Sequence, residues 1–260
     1  MNPFKTHGAL SWPELQTINP SEALDFYQAV FGWEGENMPM PGGMGSYSVG
    51  KVAGIPHAGV MERVSVEMPP CWLFYVTVDS ADEMPAKATE LGGQVFMPVM
   101  AAEGVGKMCG IADPQGAMIF GMEWEQNDNP AVDFTDSFQT PGKFSWFHLQ
   151  TPDVEGAVAF YSGLFGWKTE VNLMGAGPYT ILKVGDVSFG GAVPPMGEAP
   201  AHWSGYLTVA DADETASAIG ANGGTVMGEP FDIPEVGKMV SFQDPQGAQC
   251  MAIAYHTPTE

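Results

Sequence analysis

Few residues in this chain combine a reactive side chain with an informative position. Glu14 lies two residues after Trp12, and His148 two residues after Trp146. Side chains two apart on a strand point the same way, so each titratable group would share a face with an indole. On the wall of a cavity, Glu14 or His148 would be placed to act as a general base. His202 and Tyr206 could join His148 from a neighbouring strand, and His148 with His202 would then be a pair of imidazole donors for a metal. Tyr47 and Tyr179 offer phenolic hydroxyls. Lys107 and Lys238 each precede a methionine and could meet an anionic group, although a lysine in such a loop is ordinarily solvated.

These positions come in pairs because the chain repeats itself. Phe26-Tyr27-Gln28-Ala29-Val30-Phe31-Gly32-Trp33 returns as Phe160-Tyr161-Ser162-Gly163-Leu164-Phe165-Gly166-Trp167, an offset of 134 (26 to 160). Trp12 returns as Trp146 at the same spacing. Trp72 and Tyr75 return as Trp203 and Tyr206, and Asp113-Pro114-Gln115-Gly116-Ala117 as Asp244-Pro245-Gln246-Gly247-Ala248, at an offset of 131 (113 to 244). A period this long marks duplicated domains and governs how every motif is read. The modules span residues 1–125 and 143–260. Between them residues 126–142 have no helical or strand period and read as a linker.

The elements follow from local signals. Phe144 to Gln150 reads as a strand, and Asp153 caps a helix whose apolar positions Ala157, Phe160, Tyr161, Leu164 and Phe165 fall on one face. Gly166 stops it. The first copy enters its helix through Asn19-Pro20-Ser21-Glu22, with proline at the first position and Glu22 as a capping-box partner. Strands are expected at Tyr47–Val52, His57–Met61 and Leu73–Val78, and a second helix from Ser80 to Leu91, ended by Gly92-Gly93. Two more strands meet at Asp113-Pro114-Gln115-Gly116, whose residue types fit a type I turn.

Composition narrows the partners. The 260 residues carry 9 Lys+Arg against 31 Asp+Glu, a net charge of −22, with 45% hydrophobic residues. That is enough to build a core, and the acidity argues against nucleic acid and anionic membranes. Arg63 is the sole arginine. No apolar run approaches the roughly 18 residues of a membrane span, and the first residues lack the pattern of a secretion signal, so a cytoplasmic protein is expected. Cys71, Cys109 and Cys250 form no Cys-x-x-Cys pair and read as buried thiols.

The order of elements, the Ala-x-x-Phe-Tyr-x-x-x-Phe-Gly-Trp helix, the Gly-Gly after the second helix and the Asp-Pro-x-Gly hairpin together resemble the vicinal oxygen chelate superfamily. That group includes glyoxalase I, bleomycin-resistance proteins and extradiol dioxygenases. The resemblance covers residues 6–125 and 143–256. It implies an α+β fold in which each module is a pair of βαβββ units curled into a partly open barrel. In the enzymes of the group, His and Glu from the concave face hold a divalent metal. Carried over position by position, the first-strand ligand falls on Trp12 and Trp146, the fifth-strand ligand near Trp72 or Leu73 and Trp203 or Ser204, and the last-strand glutamate on Phe120 and Met251. None of these is a usual donor.

The expectation is therefore a binding protein for a small organic molecule, with no cofactor and no metal. Trp12, Trp72 and Phe120 would line one pocket and Trp146, Trp203 and Met251 the other, with Tyr47, Tyr179 and Tyr206 as polar or stacking groups. The alternative is a glyoxalase-like lyase or dioxygenase, using either a relocated metal at His148 and His202 or Glu14 or His148 as a metal-free base. The assembly would be a monomer acting as an internal pseudo-dimer, or a homodimer.

Overall fold

The computed structural model describes residues 1–39, 46–125, 132–174, 177–195, 197 and 199–256. The first module runs β1 (Leu10–Thr17), α1 (Pro20–Phe31), β2 (Glu34–Pro39), β3 (Ser46–Val52), β4 (Ile55–Glu62), β5 (Cys71–Thr77), α2 (Met84–Glu90), β6 (Gln94–Ala102), β7 (Gly106–Ala112) and β8 (Met118–Trp124). The second runs β9 (Phe144–Gln150), α3 (Val154–Phe165), β10 (Lys168–Met174), β11 (Gly177–Val184), β12 (Val187–Val193), β13 (His202–Thr208), α4 (Ala212–Ala221), β14 (Thr225–Val226), β15 (Phe231–Ile233), β16 (Gly237–Gln243) and β17 (Gln249–Tyr255). This is βαβββ three times over, and in the fourth unit two short strands, β14 and β15, take the place of the first strand after the helix.

Each module makes one mixed sheet. The strand order is β2-β3-β4-β1-β5-β8-β7-β6 in the first and β10-β11-β12-β9-β13-β17-β16-β14 in the second, with β15 beside β16. Neither path closes on itself, as the partly open barrel anticipates. The first strand of each half lies parallel to its last, β1 to β4 and β5 to β8, because a helix crosses over between them; the hairpin strands pair antiparallel.

The helix ends follow the sequence closely. Asn19 Oδ1 accepts from Ser21 N and Glu22 N, Pro20 opens α1, and Gly32 stops it at φ 70°. The capping box is completed differently from expectation: the Asn19 N–H goes to Gln246 Oε1 at 2.6 Å, not to Glu22. Asp153 caps α3 through Gly156 N at 2.9 Å. The second helix starts at Met84, later than the expected Ser80, since Pro85 has no N–H and fits only in a first turn. β2 and β6 are strands that the local signals did not mark. The expected linker also contains a 3-10 turn at Phe134–Phe138, while residues 126–131 lie outside the described ones.

Contacts gather the chain into two compact units, and each takes one half from each module. One comprises Met1–Ser11, Leu73–Phe134 and Trp146–Ser204; the other Trp12–Trp72, Thr135–Ser145 and Gly205–Glu260. In the second of these, Tyr27 of α1 is fully buried, stacks on Trp33 with ring centres 4.9 Å apart and meets Trp72 edge-on. In the other, Tyr161 of α3 stacks on Trp167 at 5.2 Å and meets Trp203 edge-on. Burying one such ring contributes roughly 1.5–3 kcal/mol.

Two glycines make the entry to each module close enough for a further bond. Trp33 Nε1 donates to Gly142 O at 2.8 Å and Trp167 Nε1 to Gly8 O at 2.6 Å. Both glycines sit at positive φ, and a Cβ on either would come within 2.8 Å of the carbonyl oxygen that ends the helix, Phe31 O at Gly142 and Phe165 O at Gly8.

Candidate functional site

Trp12, Glu14 and Gln16 alternate along β1 and share one face. Across the parallel ladder Glu14 stands opposite Gly59 of β4. Tyr47, from β3, lies over that glycine so closely that a Cβ there would be 1.9 Å from the Tyr47 hydroxyl. On β3 the neighbouring Gly50 faces the other way, against Trp33 and the helix, so Tyr47 belongs to the face turned away from α1.

The hydroxyl is the hub of the site. Trp12 Nε1 donates to Tyr47 OH at 2.8 Å, and Tyr47 donates to Glu14 Oε2 at 3.0 Å. An indole N–H only donates, so the phenol oxygen accepts from Trp12 and spends its single proton on the carboxylate. Gln16 Nε2 donates to Glu14 Oε1 at 2.8 Å. Both carboxylate oxygens thus accept bonds, which is what a carboxylate 6% exposed requires. Burial, then the charge of Glu14, pushes the Tyr47 phenol well above its ordinary pKa. Gln16 is 2% exposed, and its Oε1 has no hydrogen-bond partner among the described residues.

The second module repeats the frame with a different centre. Trp146, His148 and Gln150 share a face of β9, His148 stands opposite Gly191 of β12, and Tyr179 of β11 lies over Gly191, whose Cβ would meet the Tyr179 ring at 2.2 Å. Trp146 Nε1 donates to Tyr179 OH at 2.8 Å. The imidazole of His148 takes the place of the carboxylate, 5.8 Å from the Tyr179 ring centre. Burial, with His202 adding to it, lowers His148 to about 4, so the ring is neutral at pH 7; burial raises Tyr179 to about 12. Gln150 Nε2 lies 3.5 Å from His202 Nε2, and His202 Nδ1 2.8 Å from Pro200 O. The carbonyl only accepts, so His202 Nδ1 carries a proton.

Other expected residues have partners of their own. Trp72 and Trp203 are not beside these frames. They are 6% and 7% exposed and bond to the helix tyrosines, Trp72 Nε1 to Tyr27 OH at 3.1 Å and Trp203 Nε1 to Tyr161 OH at 2.9 Å. That places them in the core under the helices. Phe120 stacks on Tyr75 with centres 4.8 Å apart and meets Phe96 edge-on at 5.3 Å. Tyr206 and Met251 stand opposite each other on β13 and β17. Lys107 pairs with Asp82 at 2.5 Å and Lys238 with Asp213, both at the surface.

Sequence reasoning missed Gln16 and Gln150, and the glycines Gly59 and Gly191 that let the tyrosines approach. The glutamines were within reach: they lie four residues after Trp12 and Trp146, on the same strand face, at the same offset of 134 (16 to 150).

A divalent metal of the kind used by the superfamily's enzymes needs three or more oxygen or imidazole donors converging on one point. Among the described residues no group of three His, Cys, Asp or Glu side chains does so. At the first-strand positions stand the indoles of Trp12 and Trp146, each committed to a tyrosine, and the nearest carboxylate already accepts two hydrogen bonds. These residues do not fit the metal.

Four βαβββ units in two open mixed sheets, with a polar and aromatic frame on the first strand of each module, define a tandem protein of vicinal oxygen chelate architecture. Residues 143–251 match the Glyoxalase/Bleomycin resistance protein/Dioxygenase superfamily. Over 246 residues, 93% of this chain and 92% of the relative, the sequence is 39% identical to a putative glyoxylase of Mycobacterium tuberculosis. The chain belongs to this superfamily. It is also 27% identical over 257 residues, 93% of this chain and 91% of the relative, to an anthracycline biosynthesis protein of Streptomyces peucetius. Among solved structures, the 2,3-dioxygenase LapB of Pseudomonas sp. KL28 superposes with a TM-score of 0.66 at 12% identity, covering 98% of this chain and 95% of that one. A Mn(II)-bound glyoxalase of Novosphingobium aromaticivorans gives 0.63 at 14% identity, covering 96% and 82%. At such identities the structural likeness is one of fold.

Among the described residues no helix is long and apolar enough to cross a membrane, and the three cysteines are free thiols.

Proposed function

We propose that the protein binds a small, flat organic molecule at its Trp–Tyr frames and does so without the divalent metal of the superfamily's enzymes. The observation that carries this reading is the repetition of one hydrogen-bonded pair, Trp12 with Tyr47 and Trp146 with Tyr179, each 2.8 Å long and each lying over a glycine, on the strand where the enzymes carry a ligand. Half-exposed aromatic rings held rigid by a neighbour offer area for stacking at small entropic cost. The relative from anthracycline biosynthesis supports a polycyclic aromatic as the type of compound, and the net charge of −22 favours a neutral or cationic one.

The test is binding of aromatic ligands to Trp12→Ala and Trp146→Ala, together with elemental analysis of protein purified without chelator. Weakened uptake with the fold intact, and no stoichiometric metal, is the expected result. Unchanged affinity in both variants would remove the frames from the site, and a metal lost together with stability on adding EDTA would restore a metalloenzyme.

A second reading, a metal-free lyase, is favoured by the contact of Tyr47 with Glu14 at 3.0 Å and by the relative named a putative glyoxylase. Glu14 would act as general base on a carbon beside a carbonyl, with Tyr47 holding the carboxylate in place. Turnover of a hemithioacetal by the purified protein, abolished in Glu14→Gln, would establish it; no turnover would leave the binding function alone.

A further inference from the structure

Arg63, the sole arginine in a chain with 31 Asp and Glu residues, stands at the end of the first frame. Along β4, Gly59 lies opposite Glu14 and under Tyr47, Met61 pairs with both Gln16 and Tyr47, and the ladder runs on by one more bond, from Arg63 N to Thr17 O at 2.8 Å. Alternation therefore puts Arg63 on the face of Gly59 and Met61, while Glu62 takes the other. At about 3.3 Å per residue, Arg63 lies roughly 7 Å along the strand from the level of Tyr47 and about 13 Å from that of Glu14.

The residue is half-buried and its guanidinium is oriented. Nη1 donates to Met68 O at 2.9 Å, in a turn closed by Met68 N to Ser65 O at 3.1 Å and Glu67 N to Ser65 Oγ at 3.2 Å. Lys107, Lys168, Lys183 and Lys238 each pair with a carboxylate. Arg63 forms no such pair among the described residues, although Glu62 and Glu67 are close in sequence. One of its five N–H groups is thus engaged, on a planar fork whose geometry matches a carboxylate.

We propose that Arg63 recognises a carboxylate carried by the aromatic ligand. This rests on binding at the Trp12–Tyr47 frame and adds the ligand's charge and its orientation: a bicyclic ring stacked at Tyr47 brings a carboxylate on its far edge to the level of Arg63. The net charge of −22 opposes an anion at long range. Exposed charges more than about 8–10 Å apart are largely screened at physiological salt, however, and a carboxylate at Arg63 keeps Glu14 about 13 Å away. In the second module Pro195 stands four residues after Gly191, as Arg63 stands four after Gly59, so the carboxylate is selected once per chain.

Calorimetric titration at pH 7 with 2-naphthoate and its neutral counterpart 2-naphthalenemethanol tests this. The anion is expected to bind at one site at least about tenfold more tightly than the alcohol, the size of one charge-assisted hydrogen bond. Arg63→Gln should erase that preference. An acidic protein without a dedicated cation would favour the alcohol, so equal or weaker binding of 2-naphthoate overturns the proposal, as does a preference that survives in Arg63→Gln. If the alcohol binds and the anion gains nothing, only this proposal falls; if neither probe binds, the aromatic binding function falls with it. Should Arg63→Gln fail to fold, Arg63→Lys takes its place: it keeps the charge and loses the planar fork, the preference is expected to weaken, and an undiminished one would overturn the proposal.

Discussion

Tyr161 donates its phenolic proton to Asp113 at 3.0 Å, and Tyr27 repeats the bond to Asp244 at 3.4 Å. The tyrosine comes from the first helix of one module and the aspartate from the closing turn of the other. Each aspartate also fastens its own turn: Asp113 Oδ1 accepts from Gln115 N and Ala117 N, both at 2.9 Å, and Asp244 does the same for Gln246 and Ala248. Thus the motif that shapes a local hairpin also holds together two halves distant in sequence.

Removing that hydroxyl strands two partners at once. In Tyr161→Phe, Asp113 loses a donor and Trp203 Nε1 loses its acceptor. A loss of about 1–3 kcal/mol is expected in urea unfolding followed by tryptophan fluorescence, with a smaller effect for Tyr27→Phe, whose aspartate bond is longer. Variants as stable as the wild type would show that these bonds do not join the halves.

Gly59→Ala and Gly191→Ala put a methyl group 1.9 Å from the Tyr47 hydroxyl and 2.2 Å from the Tyr179 ring. The ring must leave, and the bonds from Trp12 or Trp146 go with it. Expected is a destabilisation of about 1–3 kcal/mol and weakened uptake of aromatic ligands by the altered frame, read by thermal melting and by titration. Wild-type binding in both would show that the tyrosines are not part of the site.

Acid should weaken the fold through two histidines. Burial lowers His57 to about 3 and His148 to about 4, and His57 Nε2 accepts from Phe144 N at 2.6 Å, a bond that protonation abolishes. Their folded values lie below the unfolded one, so the unfolded chain takes up protons first. Their contribution is complete above about pH 6.5 and drains away as the pH falls toward 4 and then 3, with about 2 kcal/mol per histidine already lost at pH 5. Asp113 and Asp244, raised by burial, act with the opposite sign over the acid range. His57→Gln should flatten the profile of unfolding free energy between pH 7 and 5; an unchanged slope would assign the acid lability elsewhere.

The thiols should be inert while the protein is folded. Burial raises Cys71 and Cys109 to about 11, and Cys250 higher still. At pH 8 a thiol at 11 is ionised to only about one part in a thousand, so a disulfide reagent should react at least tenfold more slowly than with a free thiol. All three should react at once in denaturant. Rapid labelling of one native thiol would reveal a local opening.

Much of the architecture was legible because it depends on neighbours in sequence. Asn19, Asp153, Gly32 and Gly166 bound their helices through contacts within a few residues, and the Asp-Pro-Gln-Gly turns close on themselves. The candidate site was half legible. Alternation along β1 and β9 put Glu14 beside Trp12 and His148 beside Trp146, but it extends two residues further, to Gln16 and Gln150, where the frame acquires its remaining polar groups. Trp72 and Trp203 look like wall residues by their place in the repeat. Which face of a strand a tryptophan takes, however, is settled by the helix that covers it, and each bonds to a helix tyrosine more than forty residues away.

By itself, the sequence determined that the chain is duplicated and that each copy is built from strands and helices in a fixed order. Those properties reside in residue identity and spacing. Tertiary structure alone decided that each half packs with a half of the other module and that Tyr47 reaches across Gly59 to Glu14. Pairings such as Tyr27 with Asp244 span 217 residues, and no local propensity selects among the partners available at that separation; the choice falls to the packing of whole faces, which maximises the apolar area removed from water.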